Sequence, residues 1–228
     1  FRNRYAHMIE RNFGGRRVQI IGSYQRLDEL ADILNKFSYR VLKEDCLDLP
    51  EKIYIKREIE LTDEQTKAYA TMKSAALASI KGKLATAPHV LTQMMRLHQI
   101  TCGHLKTDEG DTTNLKSNRL NELMDVLDEV EGKAIIWANY IYDIEHIVAA
   151  LKKKYGEDCV VQYYGAVSSE KRQANIEKFQ DPKSNYRFFV GNPQTGGYGI
   201  TLTCASNVIY YSNGYDLEKR LQSEDRAH

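Results

Sequence analysis

Phe188-Phe189-Val190, then Gln194-Thr195-Gly196-Gly197-Tyr198-Gly199, then Val208-Ile209-Tyr210-Tyr211 is the stretch on which the fold turns. Two apolar runs of this length, bounded by turn residues, read as strands buried in a parallel sheet, joined by a glycine-rich turn and a short helix. Backbone amides in such a turn can face a phosphate. Working upstream, the same alternation repeats: a helix from Ser117 to about Glu131, a strand at Ala134-Ile-Ile-Trp137, and a helix from Ile141 to Tyr155. A strand at Cys159-Val-Val-Gln-Tyr163 and a helix from Ser169 to Phe179, capped by Ser168 or Ser169, complete the repeat. Strands alternating with helices of this length predict an α/β fold, a parallel sheet covered on both faces. Ligands of such sheets bind beyond the carboxyl ends of the strands. Four loops therefore share one rim: Asn139 and Tyr140, Tyr164 and Gly165, Asn192 to Gly199, and Asn213 to Asp216.

Before Ser117 the pattern is mainly helical. Leu27, Leu30, Ile33, Leu34 and Phe37 keep helical spacing, Thr62-Asp-Glu-Gln65 reads as a cap for a helix running through Ala78, and Leu91 to Ile100 continues the theme. Ile53 to Leu61 alternates and is a strand candidate. Thr107 to Asn114, polar with Gly110 at its centre, is expected to be an exposed loop.

Composition narrows the class. With 228 residues, 42% hydrophobic and 28% charged, the chain can bury a core of one large or two small domains under a water-facing surface. No apolar stretch approaches the roughly 20 residues that span a bilayer, and Phe1-Arg-Asn-Arg-Tyr5 lacks a signal-peptide core, so an intracellular, cytoplasmic location is expected. Cys46, Cys102, Cys159 and Cys204 are scattered, with no Cys-x-x-Cys pair, which speaks against a disulfide framework and a four-cysteine zinc site. A net charge of +1 gives no global argument for nucleic acid, leaving local basic faces such as Lys152-Lys153-Lys154 and Arg16-Arg17.

Several motifs, taken in order, resemble the second RecA-like motor lobe of SNF2-type ATPases in helicase superfamily 2. Asp48-Leu-Pro-Glu-Lys52 with Leu61-Thr-Asp-Glu-Gln65 and Tyr69 is similar to the segment leading into that lobe, and Leu97 to Leu105 to its Cys-x-His element. Ser117-Asn-Arg-Leu120 to Trp137 resembles motif IV, and Tyr164-Gly165 with Lys171-Arg172 and Phe179 the following nucleic-acid-facing segment. Thr195 to Thr203 resembles motif V, and Gln222-Ser-Glu-Asp-Arg-Ala-His228 the first part of motif VI. The resemblance implies residues 1–116 as a mainly helical linking segment and 117–228 as a RecA-like lobe that stops within motif VI.

It also implies roles. Arg226 supplies positive charge to the γ-phosphate of ATP when two lobes close, with Gln222 orienting it or touching the nucleotide. Thr195, Gly196 and Gly197 contact a nucleic-acid strand, joined by Asn139, Tyr140, Gly165 and Lys171. Duplex DNA bound without sequence preference and an N-terminal RecA-like lobe are the expected partners. ATP and Mg²⁺ are expected mainly on that first lobe, because Gly82-Lys83 and Gly132-Lys133 lack the rest of a phosphate-cradling loop. The chain alone is therefore expected to be inactive. The compact motif spacing suggests a bacterial or phage protein, with a nuclear setting left open.

Other readings of the same residues stay beside this one. Arg226 can also be read as a helix arginine paired with Glu224 or Asp225, the turn as a plain strand-to-helix connection, and Arg172 as a solvated charge. His98, Cys102 and His104 are read as packing residues, since three ligands without a fourth make a poor zinc site. Asp128 to Glu131 is read as solvated charge and Trp137 as core. At the level of function, the alternatives are a non-enzymatic nucleic-acid or protein-binding module and a Rossmann-like transferase, the latter lacking its Gly-x-Gly-x-x-Gly signature.

Overall fold

A computed structural model of the chain describes residues 1–13, 15–39, 41, 46, 51–81, 87–107, 110–196 and 199–227. It divides into two compact units, Phe1–Ile53 and Tyr54–His228. The first unit opens with α1 (Arg2–Tyr5) and a hairpin of β1 (Ala6–Phe13) against β2 (Arg16–Tyr24), followed by α2 (Leu27–Asn35). The sequence reading places no strands here; the hairpin adds them to a segment before residue 117 that is otherwise mainly helical. Its turn contains Gly15 at φ +86, the backbone that a tight hairpin requires, and both strands are polar enough to hide their alternation.

The second unit begins with two helices, α3 (Asp63–Lys81) and α4 (Ala87–Cys102), and a small hairpin of β3 (His104–Lys106) with β4 (Thr112–Asn114). The expected loop at Thr107 to Asn114 thus ends in a short strand. Thr62 caps α3 reciprocally: the Gln65 amide donates to Thr62 Oγ1 at 3.3 Å, and the Thr62 amide donates to Gln65 Oε1 at 3.2 Å. Gln65 is buried because its Nε2 donates onward to the Ile100 carbonyl at 2.8 Å, which ties α3 to α4. The alternating segment Ile53 to Leu61 is not a strand. No strand pairs with it among the described residues, and Ile53 and Ile55 are 85% and 78% exposed, so the alternation has no sheet to join.

The rest alternates as the sequence predicts: α5 (Arg119–Glu129), β5 (Lys133–Trp137), α6 (Ile141–Tyr155), β6 (Val160–Tyr163), α7 (Ser169–Gln180), β7 (Phe188–Gly191), α8 (Pro193–Gly196), β8 (Ala205–Tyr210) and α9 (Leu217–Glu224). The strands form a wholly parallel sheet in the order β6-β7-β5-β8. This is the expected α/β, RecA-like sheet with helices on both faces. The sequence reading joins linking segment to lobe at residue 116, whereas the compact units meet at residue 53.

Central position in the sheet makes β5 buried on both faces, so its residues sort by period two. Ala134, Ile136 and Ala138 pack with Leu127 of α5 and Ile144, Ile147 and Leu151 of α6. Ile135 and Trp137 face the other way, onto Phe179 of α7, Phe189, Ile200 and Leu202. The indole of Trp137 then dictates two glycines. A Cβ on Gly196 would lie 2.6 Å from Trp137 Cη2, and one on Gly191 would lie 2.7 Å from the Tyr163 carbonyl oxygen and 3.1 Å from the indole.

Gly196→Ala is therefore expected to destabilise the protein by about 1–3 kcal/mol, the usual cost of overpacking against a ring that cannot move aside. Urea unfolding of the single variants and of Gly196→Ala with Trp137→Leu should show strong non-additivity. Full additivity of the two changes would contradict the contact.

Candidate functional site

The rim begins where the four parallel strands end. Beyond β5, the Ala138 amide donates to the Gly191 carbonyl at 2.9 Å and the Asn139 amide to Ser212 Oγ at 2.9 Å. Asn192 joins these loops: its Nδ2 donates to the Asn139 carbonyl at 2.8 Å, its amide to the Tyr163 carbonyl at 3.0 Å, and its Oδ1 accepts the Gln194 amide at 2.8 Å. Nothing in the sequence marks Asn192 as this hub except its place directly after an apolar strand.

The Asn192 carbonyl also accepts the amides of Thr195 and Gly196, at 3.0 and 2.9 Å. This corrects the expectation for the turn: those two amides close α8 on itself, and Gly196 is buried under Trp137 rather than opened toward a ligand. Gly197 lies outside the described residues. What the turn offers outward is the half-buried Thr195 side chain and the exposed Gly199, whose φ of +69 favours glycine.

Tyr140 is turned inward. Its hydroxyl stands 2.9 Å from His98 Nδ1 and its ring meets His104 edge-on at 5.0 Å, so the half-buried side chain rests on α4 and β3. Burial first, then nearby Cys102 and Asp143, push its phenol well above the ordinary range. His104 itself is buried, with Nδ1 3.1 Å from Asp143 Oδ1. Burial raises the Cys102 thiol to about 12, keeping it an inert thiol. Among the described residues, no group of His, Cys, Asp or Glu is arranged to hold a metal ion, and no helix is long and apolar enough to cross a membrane.

Gly165 and Lys171 flank the loop from β6 into α7, where Ser168 caps the helix by accepting the Lys171 amide. Gly165 is exposed, has no positive φ, and a Cβ there would meet nothing within 4 Å, so neither packing nor backbone strain accounts for the glycine. The Lys171 ammonium is exposed and makes no ion pair among the described residues. Arg172 behaves differently: its guanidinium lies 5.6 Å over the Tyr163 ring and donates to Ser169 Oγ at 3.2 Å. It lines a cleft of about 490 Å³ with Gly199 and Thr201.

Arg226 lies past the end of α9 and is held by backbone. Its Nε donates to the Gln222 carbonyl and its Nη1 to the Ile200 carbonyl, both at 3.0 Å, while its own carbonyl accepts the Leu202 amide at 2.8 Å. Gln222 thus orients Arg226 through its main chain; its Nε2 donates to Glu218 at 2.9 Å, and its buried Oε1 has no partner among the described residues. Glu224 does not pair with Arg226. It accepts Arg220 Nε at 2.6 Å and the Tyr54 hydroxyl at 3.0 Å. The Arg220 guanidinium in turn sits 3.2 Å over the Tyr210 ring and donates to Asn213 at 2.7 Å. This network fixes α9, and with it Arg226, against β8. The Arg220 and Glu224 spacing of four is visible in sequence; Tyr54, 170 residues away, is not.

The structure therefore gathers the sequence-selected residues into three groups: Asn139 with the turn at Thr195 and Gly196, Gly165 with Lys171, and Arg226 with Gln222. Tyr140 belongs with the half-buried cluster around His98.

With this geometry in hand, three comparisons bear on identity. Residues 116–228 match the family described as helicase conserved C-terminal domain. An uncharacterized ATP-dependent helicase of Mycoplasma genitalium is 29% identical over 212 residues, covering 90% of this chain but 20% of that protein. The SWI2/SNF2 ATPase core domain of Sulfolobus solfataricus superimposes with a TM-score of 0.63 at 25% identity, over 88% of this chain and 43% of that one. The same core in complex with double-stranded DNA gives 0.60 at 26% identity, over 83% and 42%.

Two outcomes test the geometry. Glu224→Ala leaves Arg220 and Tyr54 without their shared acceptor and is expected to cost about 1–3 kcal/mol in urea unfolding, with Tyr54→Phe costing less. His98, lowered by burial and then by Arg119, takes up a proton less readily folded than unfolded. Its contribution is complete above the ordinary histidine value of about 6.5 and is lost as pH falls toward its lowered value. Acidification from about pH 7.5 to about pH 5.5 should lower the urea midpoint of the wild type more than that of His98→Gln.

Proposed function

Because residues 116–228 belong to the helicase conserved C-terminal domain family, as the second lobe of SNF2-type ATPases, we propose that this chain completes the ATP-hydrolysing site of a DNA-dependent motor and grips its DNA. The chain spans 20% of the helicase it matches, so the ATP-binding first lobe is assigned to the longer protein, with ATP and Mg²⁺ held mainly there. ATP supplies a phosphoanhydride bond whose cleavage by water drives the cycle.

The residues of this lobe fit a polyphosphate. Arg226 is a permanently charged guanidinium held by two backbone carbonyls. On lobe closure Arg226 opposes the negative charge developing on the transferred phosphoryl group, and Gln222 orients it. Thr195, Gly165 and Lys171 hold a phosphate backbone of duplex DNA, contacts that carry no sequence information and allow stepping.

The observation that carries the reading is the pair of bonds between residues 200–202 and Arg226. The segment just after the DNA-facing turn is bonded directly to the residue assigned to the nucleotide, so displacement of one moves the other. The Sulfolobus solfataricus core in complex with double-stranded DNA supports duplex DNA as the partner. An intracellular setting follows from both substrates.

In the full-length protein, Arg226→Ala is expected to lower DNA-stimulated ATP turnover by roughly 10³-fold or more while duplex binding is retained. Unchanged turnover would remove Arg226 from the mechanism. Absence of turnover in the wild type would favour a binding module.

A further inference from the structure

The first 26 residues hold six arginines, no lysine and a single acid, Glu10, a net of +5 in a chain whose total is +1; the remaining 202 residues therefore carry −4. Such asymmetry within a near-neutral chain points to an anionic partner for that segment. Some of the charge is already matched: Arg4 Nε donates to Glu29 at 2.8 Å, and Arg26 lies 3.9 Å from the same carboxylate. The three arginines around the hairpin turn are different. Arg11 and Arg16 have no ion pair among the described residues, and Arg17 has only Glu10 at 3.9 Å, with side chains 82% and 58% exposed, a surface pair of little energy.

The register places these charges. Arg11 pairs with Val18 and Phe13 with Arg16, so Arg11 and Arg16 are diagonal neighbours on one face, while Arg17, opposite Asn12, lies on the other. Eight of the nine residues of β2 are exposed, so the ribbon offers both faces to solvent. Gly15 at the turn has nothing within 4 Å of where a Cβ would stand, so the tip can approach another backbone closely.

We propose that the tip of this hairpin, through Arg11, Arg16 and Arg17, is a phosphate-binding surface for duplex DNA, in addition to the strand-end rim. A two-stranded ribbon is the other element besides a helix that fits the major groove. Guanidinium groups on both faces can then reach phosphates along its walls, binding them bidentately where lysine would act as a point charge. Asn12 beside Arg17 adds a hydrogen-bonding side chain suited to the same sugar-phosphate edge. The choice of DNA rests on the motor reading; the charge and shape of the ribbon do not.

Binding of a fluorescent duplex oligonucleotide to the 228-residue chain, measured by anisotropy across a salt series, tests the assignment. Neutralising the tip with Arg11→Gln, Arg16→Gln and Arg17→Gln is expected to make the slope of log affinity against log salt shallower by roughly 2–3, about 0.9 per lost phosphate contact. The loss should be equal for unrelated duplex sequences, with an unchanged thermal unfolding curve. An unchanged slope overturns the proposal, as does a wild-type chain that binds no duplex at low salt. So does retained duplex binding by the triple variant together with lost binding of polyglutamate, which transfers the surface to an acidic protein. Lys171→Gln separates the two readings: if it alone flattens the slope, the rim holds the DNA and the hairpin does not. If the hairpin variant flattens it while the full-length protein hydrolyses no ATP, the hairpin assignment stands and the motor reading falls.

Discussion

Trp137 is fully buried at the carboxyl end of the central strand, with its indole against Gly191 and Gly196, and the rim of the sheet is built around that contact. A large flat ring at the end of a strand buried on both faces leaves no room for a side chain at Gly191 of the neighbouring β7 or at Gly196 of α8. The glycines permit backbone to close over it, and Asn192 then gathers the loop carbonyls and amides into one surface. Ile200 packs in the same cluster as the indole. Because the Ile200 carbonyl accepts from Arg226, the strand core, the turn and the end of α9 form one connected body.

A second anchor acts on α9 from outside the sheet. Glu224 is 9% exposed, low for a carboxylate, and is kept there by Arg220 and by Tyr54. The stacking of Arg220 on Tyr210 passes this constraint to β8. Arg226 is thus positioned from two directions, by main-chain bonds to residues 200–202 and by the docking of its helix. The role proposed for Arg226 calls for such fixing, since preorganised charge acts without reorganising at the moment of reaction.

Much of the lobe was legible because buried parallel strands are continuous apolar runs: Ala134 to Trp137, Phe188 to Val190 and the run near Val208 announce themselves. The Thr62 and Gln65 cap was legible for a similarly local reason. The hairpin at Ala6 to Tyr24 was not, since its strands are dense in arginine and its apolar residues lie partly exposed. Ile53 to Leu61 misled in the opposite sense, carrying alternation without a partner strand. Within the site, sequence order could select Arg226 and Gln222. It could not reveal that Gln222 acts through its carbonyl, that the Thr195 and Gly196 amides are already bonded to Asn192, or that Tyr140 turns inward to His98. Those facts depend on contacts between segments far apart in the chain.

The central claim is that hydrolysis belongs to two lobes together, with this chain supplying Arg226 and a DNA-facing turn whose following segment, residues 200–202, is bonded to it. The most direct measurement is ATP turnover by the 228-residue chain alone and by the full-length protein, each with and without duplex DNA. The account predicts no turnover by the chain at any DNA concentration and DNA-stimulated turnover by the full-length protein. ATP hydrolysis by the chain alone, or full-length turnover indifferent to DNA, would contradict it.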